Sequence, residues 1–156
     1  MSVTKGQQQA RRVFAKYCQD IDHALGGYAI SDEDGKQYIG NQFCVVRYTE
    51  TAINDDIVKA SVNCTKAFKK FIDESGAEWK DIVSVDDIKL VESDKNLLQI
   101  SGNLYNAKAL RKMLRTFVGK PALGIVTESD RSRKPNVLHI MDVRGNEGIL
   151  LPLRIK

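Results

Sequence analysis

The sequence predicts an α+β fold, and three observations carry that reading. Two stretches, Lys5 to Leu25 and Asn106 to Val118, place apolar residues at three- and four-residue spacing, the pattern of helices that bury one face. Short runs rich in β-branched and aromatic residues lie between and after them. Turn-forming dipeptides such as Asp34-Gly35 and Gly145-Asn146 separate those runs at strand-like intervals.

Taken in order, Ala10, Phe14, Tyr17, Cys18, Ile21 and Leu25 build the buried face of the first helix, and Gly26-Gly27 stops it. Tyr28 to Ser31 and Tyr38 to Tyr48 read as two strands joined at Asp34-Gly35, whose tolerance of positive φ suits a tight hairpin. The cluster Asp32-Glu33-Asp34-Gly35 resembles the start of a calcium loop, but the later ligands and the closing Glu are absent. Ala60, Cys64, Ala67, Phe68, Phe71 and Ile72 predict a second helix from Ile57 to Glu74, with Lys66, Lys69 and Lys70 between the apolar positions and Ser75-Gly76 as its end. Trp79 either packs its segment onto the core or meets a partner. Ile88 to Val91 and Leu97 to Ser101 predict a hairpin turning at Ser93 to Asn96. Asn106 is the expected N-cap of the last helix, and Gly119-Lys120-Pro121 its stop. Strands are then expected at Ala122 to Thr127, Val137 to Val143 and Gly148 to Ile155, with the polar loop Glu128 to Asn136 between the first two.

A chain of 156 residues suffices for one domain with a real core, so residues 1–156 read as a single unit. Residues 1–86 form a first half with an extra helix and 87–156 a second half, and the similar order of helix and strands in each is consistent with an internal duplication. No apolar run reaches the roughly 18 residues that span a bilayer. The first residues lack the apolar stretch of a signal peptide, so a cytoplasmic protein without membrane partners is expected. Three widely spaced cysteines, Cys18, Cys44 and Cys64, fit reduced core thiols better than a disulfide framework or metal site.

Lys and Arg number 24 against 20 acids, and at a net charge of +4 the distribution matters more than the sum. Lys108, Arg111, Lys112 and Arg115 occupy i, i+3, i+4 and i+7 of one helix and therefore share a face, away from Ala107, Leu110, Leu114, Phe117 and Val118. The first helix carries Arg11, Arg12 and Lys16, with Gln8, Gln9 and Gln19, and its first acid is Asp20. Two acid-poor, basic helices suit the phosphate backbone of double-stranded DNA, bound without regard to sequence. The competing reading is a solvated, solubilising surface. Arg131, Arg133 and Lys134 serve either.

Catalysis is not expected. The two histidines, His23 and His139, stand beside no evident nucleophile, and the sequence holds no Gly-rich phosphate loop, metal-ligand spacing or nucleophile elbow. No cofactor or metal is implied.

The last 60 or so residues resemble the sliding clamp of bacterial DNA polymerase, its β subunit. The tail of that family runs through a strand, a Phe-Asn pair opening a helix, two more strands and a closing Met-Pro-Met-Arg-Leu. Leu97 to Ser101, Tyr105-Asn106, the following helix, two strands and Leu151-Pro152-Leu153-Arg154-Ile155 fall in the same order and nearly the same spacing. Ile39-Gly40-Asn41-Gln42-Phe43-Cys44-Val45-Val46-Arg47 is similar to the clamp strand Ala-Thr-Asp-Gly-His-Arg-Leu-Ala-Val, without its Asp, Gly and first Arg. The resemblance implies a DNA-clamp-like domain of two strand-helix-strand-strand-strand units, with helices packed on one face of antiparallel sheet and basic helix surfaces turned to DNA. It also implies a replication role as a processivity factor, and a groove for short peptides of client replication proteins formed by Phe43, Val45, Ile149, Leu151 and Pro152. Six such domains complete a clamp ring. One chain therefore implies either a homo-oligomer joined through sheet edges or a monomer with shielded edges. Against this stands a protein-interaction module that keeps the fold and binds partner peptides without DNA.

Overall fold

The computed structural model describes residues 3–21, 29–33, 35–41, 43–51, 68, 78–83, 89–91, 94–100, 103–127 and 137–153. The elements run α1 (Lys5–Ile21), β1 (Ala29–Glu33), β2 (Lys36–Gly40), β3 (Cys44–Tyr48), β4 (Glu78–Val83), β5 (Lys89–Val91), β6 (Asp94–Ile100), β7 (Asn103–Asn106), α2 (Ala107–Leu114), β8 (Ala122–Thr127), β9 (Val137–Met141) and β10 (Glu147–Leu150). The protein is thus a small α+β protein of antiparallel sheets. No helix among the described residues is long and apolar enough to cross a membrane.

Seven strands form one sheet in the order β1-β2-β3-β10-β9-β8-β4, and β5-β6-β7 form a second. Each helix leads into a three-strand meander, α1-β1-β2-β3 and α2-β8-β9-β10. The last strands of the two meanders lie side by side, with Val45 opposite Ile149 in antiparallel register. The two halves are therefore arranged as if by a two-fold axis between β3 and β10, and α1 touches α2 on the same side of the sheet. The halves differ in their leading strand. β7 enters α2 from the second sheet, whereas no described residue supplies a strand before α1.

Strand alternation sorts side chains between the two faces of the large sheet. Cys44, Val46 and Tyr48 of β3, Leu138 and Ile140 of β9, and Leu150 of β10 point toward the helices, where they meet Phe14, Cys18, Leu110 and Met113 in the main core. Leu98, Ile100 and Tyr105 of the second sheet join the same core. The opposite face carries Tyr38, Val45, Val137 and Ile149, which close around Phe68. Phe68 is helical and is the one described residue of the helix expected from Ile57 to Glu74. With both faces covered, β2 and β9 are buried almost throughout, and the polar-out alternation of a one-sided sheet is lost. Gly148 in β10 lets α2 come close: a Cβ there would lie 3.0 Å from Phe117 Cζ and 3.1 Å from Met113 Cε.

Several boundaries differ from the sequence reading, each for a local reason. The single strand expected from Tyr38 to Tyr48 is two, because Asn41 folds the chain back: its Oδ1 accepts the N–H of Phe43 (2.8 Å) and of Cys44 (3.1 Å). At Gly40 a Cβ would intrude on the Cys44 carbonyl oxygen and Val45 Cα, so this turn excludes a side chain. Asn106 caps α2 as expected, its Oδ1 accepting Ala109 N–H at 3.0 Å. The helix closes at Leu114, short of Val118, since the Thr116 hydroxyl and N–H both take the Met113 carbonyl (2.6 and 3.0 Å) and tighten the exit. The 89–100 hairpin pairs Val91 with Asp94 and so turns two residues earlier than expected. The final strand stops at Leu150, because Pro152 has no N–H to continue the ladder, and Leu153 N–H bonds instead to Leu104 O at 2.8 Å in the second sheet. Trp79 lies in β4 opposite Val126, its side chain outside the described residues. Gly26-Gly27, His23, Cys64 and the loop with Arg131, Arg133 and Lys134 also lie outside them.

Candidate nucleic-acid interface

The outward faces of α1 and α2 are set by what each helix buries. In α2, Ala107, Ala109, Leu110 and Met113 face the core, which leaves Lys108, Arg111 and Arg115 exposed and Lys112 half-buried at the flank. The helix contains no acidic residue. In α1 the buried stripe is Arg11, Phe14, Ala15 and Cys18, at i, i+3, i+4 and i+7, with Tyr17 beside it. The opposite stripe is Lys5, Gln9, Arg12 and Lys16, of which Lys5, Gln9 and Lys16 are exposed and Arg12 half-buried. Since α1 and α2 touch on one side of the sheet, these two basic stripes belong to neighbouring helices on one surface of the molecule.

Arg11 is the correction. The sequence places it with Arg12 and Lys16 on a DNA-facing surface, whereas it is 3% exposed and turned inward. Its guanidinium lies 3.9 Å above the centre of the Tyr48 ring, and Nη1 donates to Gln37 Oε1 (3.2 Å) and to the Glu50 carbonyl (2.7 Å). Its Nε finds no partner. Burial lowers the Arg11 pKa, and the phenol of Tyr48 and the carboxylates of Glu50 and Asp142 oppose that. The signal available in the sequence was the spacing itself, because Arg11 continues the Phe14, Ala15, Cys18 stripe one turn earlier. Lys5 is the complementary omission: it occupies the outward stripe in the position assigned to Arg11.

At the same end of the sheet, Asp142 is 7% exposed and accepts four hydrogen bonds, from Val118 N–H, Arg144 N–H, Asn146 N–H and Asn146 Nδ2, all between 2.9 and 3.0 Å. Asn146 Oδ1 in turn accepts Thr49 N–H at 2.9 Å. This network ties the exit of α2, the β9–β10 turn and the end of β3 together, and so fixes α2 relative to the sheet.

The residues expected to form a peptide groove come together, but not as an open groove. Phe43, Val45, Ile149 and Leu151 share one face of the β3–β10 pair, and Leu151 N–H donates to Phe43 O at 2.9 Å. Val45 and Ile149, however, are 1% and 2% exposed and lie in the cluster with Phe68, whose ring meets Tyr38 edge-on at 5.9 Å. The chain's own aromatic side chain occupies the place assigned to a client. Among the described residues, the accessible apolar part of that face is its end, with Phe43 47% exposed and Leu151 and Pro152 half-buried. Further along it, Arg47 covers Phe68 at 4.4 Å and pairs with Glu147, and His139 Nε2 lies 3.4 Å from the same carboxylate. His139 is a packed strand residue.

No protein-family model, curated protein or solved structure matches the chain.

Proposed function

We propose that the protein is a non-enzymatic, clamp-like DNA-associated domain that holds double-stranded DNA by its phosphate backbone, in the manner of a replication processivity accessory. The observation that carries the reading is the pair of neighbouring helices whose outward stripes are basic: Lys5, Arg12 and Lys16 on α1, and Lys108, Arg111, Lys112 and Arg115 on α2. The only acid in either helix is Asp20, near the end of α1. Like charges at helical spacing repel by a few tenths of a kcal/mol per pair, and phosphates offset that repulsion while releasing counterions. The repeated helix-and-meander arrangement supports the clamp-like half of the proposal.

The test is the affinity for a random-sequence duplex across a salt series. Each phosphate neutralised contributes about −0.9 to the slope of log K against log salt. Replacing Lys108, Arg111, Lys112 and Arg115 with Gln, which keeps helix propensity, is expected to make the slope shallower by about 3 to 4 and to weaken binding at every sequence alike. An unchanged slope overturns the reading. A second reading, a module that binds partner peptides without DNA, is favoured by one observation, the exposed Phe43 beside Leu151 and Pro152. Binding to that apolar end is expected to respond little to salt and to be lost in Phe43→Ala, which leaves DNA affinity unchanged.

A further inference from the structure

Cys18 in the last part of α1 and Cys44 at the start of β3 are 0% and 2% exposed, with Sγ atoms 4.0 Å apart. Neither is in a disulfide. A single side chain holds them in register. Asn41 accepts the N–H of Phe43 and Cys44 through Oδ1, which also lies 3.6 Å from Cys44 Sγ, and donates from Nδ2 to the Cys18 carbonyl at 3.4 Å. The amide therefore ties the backbone of α1 to the start of β3, on either side of the two thiols. A disulfide requires sulfurs about 2.05 Å apart, so the sulfurs must approach by about 2 Å, a distance within the reach of side-chain rotation.

We propose that Cys18 and Cys44 form a reversible cross-link between α1 and β3 by exchange with a small-molecule disulfide such as oxidised glutathione. One thiol loses its proton and attacks a glutathione sulfur, which forms a mixed disulfide and expels one glutathione thiolate to take up a proton. The second cysteine, deprotonated in turn, attacks the protein sulfur of that mixed disulfide and expels the other glutathione. Two protein thiols and one glutathione disulfide thus become one protein disulfide and two glutathione thiols, the two electrons passing to glutathione. Because both sulfurs are buried, the first attack waits on local opening of the contact between α1 and β3, and the exchange is slow. The bond closes a loop spanning 26 sequence positions, and restricting that loop in the unfolded chain lowers the unfolding equilibrium constant on the order of 100-fold.

The experiment uses the full chain with Cys64→Ser, incubated with oxidised glutathione without denaturant, alkylated, digested and mapped by mass. The expected result is a product two hydrogens lighter, with no retained glutathione, a peptide joining Cys18 to Cys44, reversal by dithiothreitol and a higher urea midpoint than the reduced form. The chain with both Cys44→Ser and Cys64→Ser is expected to stop at the glutathione adduct on Cys18. Retained glutathione adducts without the joined peptide in the Cys64→Ser chain overturn the proposal, and so does cross-linking that occurs only in denaturant. If Cys64→Ser does not fold, peptide mapping of the unaltered chain gives the same decision, because pairs that include Cys64 have different masses.

Discussion

Removing Arg11 tests whether it is a structural residue or a DNA contact. In Arg11→Ala the Tyr48 ring loses a cation held 3.9 Å from its centre, and the Glu50 carbonyl loses a charged donor at 2.7 Å. Gln37, fully buried, is left with an acceptor that water cannot easily reach. A hydrogen bond from a charged donor contributes about 1.5 to 3 kcal/mol, a stacked cation about 0.5 to 2, and a buried acceptor that loses its charged donor costs about 1 to 3. Relief of the buried charge and of its unpartnered Nε works the other way by a few kcal/mol. The expected net loss is about 2 to 4 kcal/mol, or roughly 4 to 16 °C in Tm for a domain of this size. Urea unfolding followed by circular dichroism measures it, and the double variant Arg11→Met with Gln37→Leu is expected to recover at least about 1 kcal/mol, because it removes that acceptor together with its charged donor. DNA affinity of the folded fraction is expected to stay unchanged. An Arg11→Ala variant that keeps its unfolding midpoint while its DNA affinity falls contradicts a structural role for Arg11, since that pattern belongs to an exposed phosphate contact.

Two further predictions concern carboxylates near the β9–β10 connection, Asp142 in the turn and Glu147 at the start of β10. Asp142→Ala strips the acceptor from three backbone N–H groups and from Asn146 Nδ2, and a loss of about 2 to 4 kcal/mol is expected in urea unfolding; a loss below about 0.5 kcal/mol contradicts the network. The carboxyl of Glu147 is held below its ordinary value of 4.5 by His139, with burial opposing and Arg47 adding to the effect. A carboxylate with a lowered folded pKa stabilises the protein above its unfolded pKa, and that contribution is lost as pH falls from about 4.5 through the lower folded value. Glu147→Gln is therefore expected to flatten the decline of stability below that pH, as read from urea midpoints in a pH series; an acid limb as steep as that of the parent protein contradicts this.

The parts of the fold written in short-range signals were legible, and those that depend on distant partners were not. Asn106 could be named as a cap because capping is a local exchange between its side chain and an N–H three residues on. β8 agrees with its expected bounds because Pro121 and the polar loop punctuate both ends. The turn at Asn41 was missed because the β-branched and aromatic residues around it favour strand on both sides, and the amide that decides the matter is one residue. The open peptide groove failed for a different reason. Alternation correctly placed Val45 and Ile149 on one face, but a sequence pattern cannot tell that Phe68, more than 20 positions away, covers that face. Arg11 combines both problems: its helical position marked it as buried, and its residue type argued for the surface. The partners that make burial tolerable, Gln37 and the Glu50 carbonyl, are remote in sequence.

The charges of α2 have two physical explanations, and Lys108 separates them from Arg115. Arg111, Lys112 and Arg115 sit at the C-terminal end, where the helix dipole favours a cation by about a few tenths of a kcal/mol at an exposed site. Their presence is therefore explained without DNA. Lys108 stands in the first turn, where the same dipole disfavours it. Lys108→Gln is expected to raise the urea midpoint slightly and Arg115→Gln to lower it slightly, because the dipole acts on them with opposite sign. A phosphate backbone acts on both with the same sign, so each substitution is expected to weaken duplex binding and to reduce the salt slope by about 0.9. If affinity instead remains constant in both variants while the stabilities diverge, helix energetics alone account for the stripe, and the proposed DNA contact through α2 is refuted.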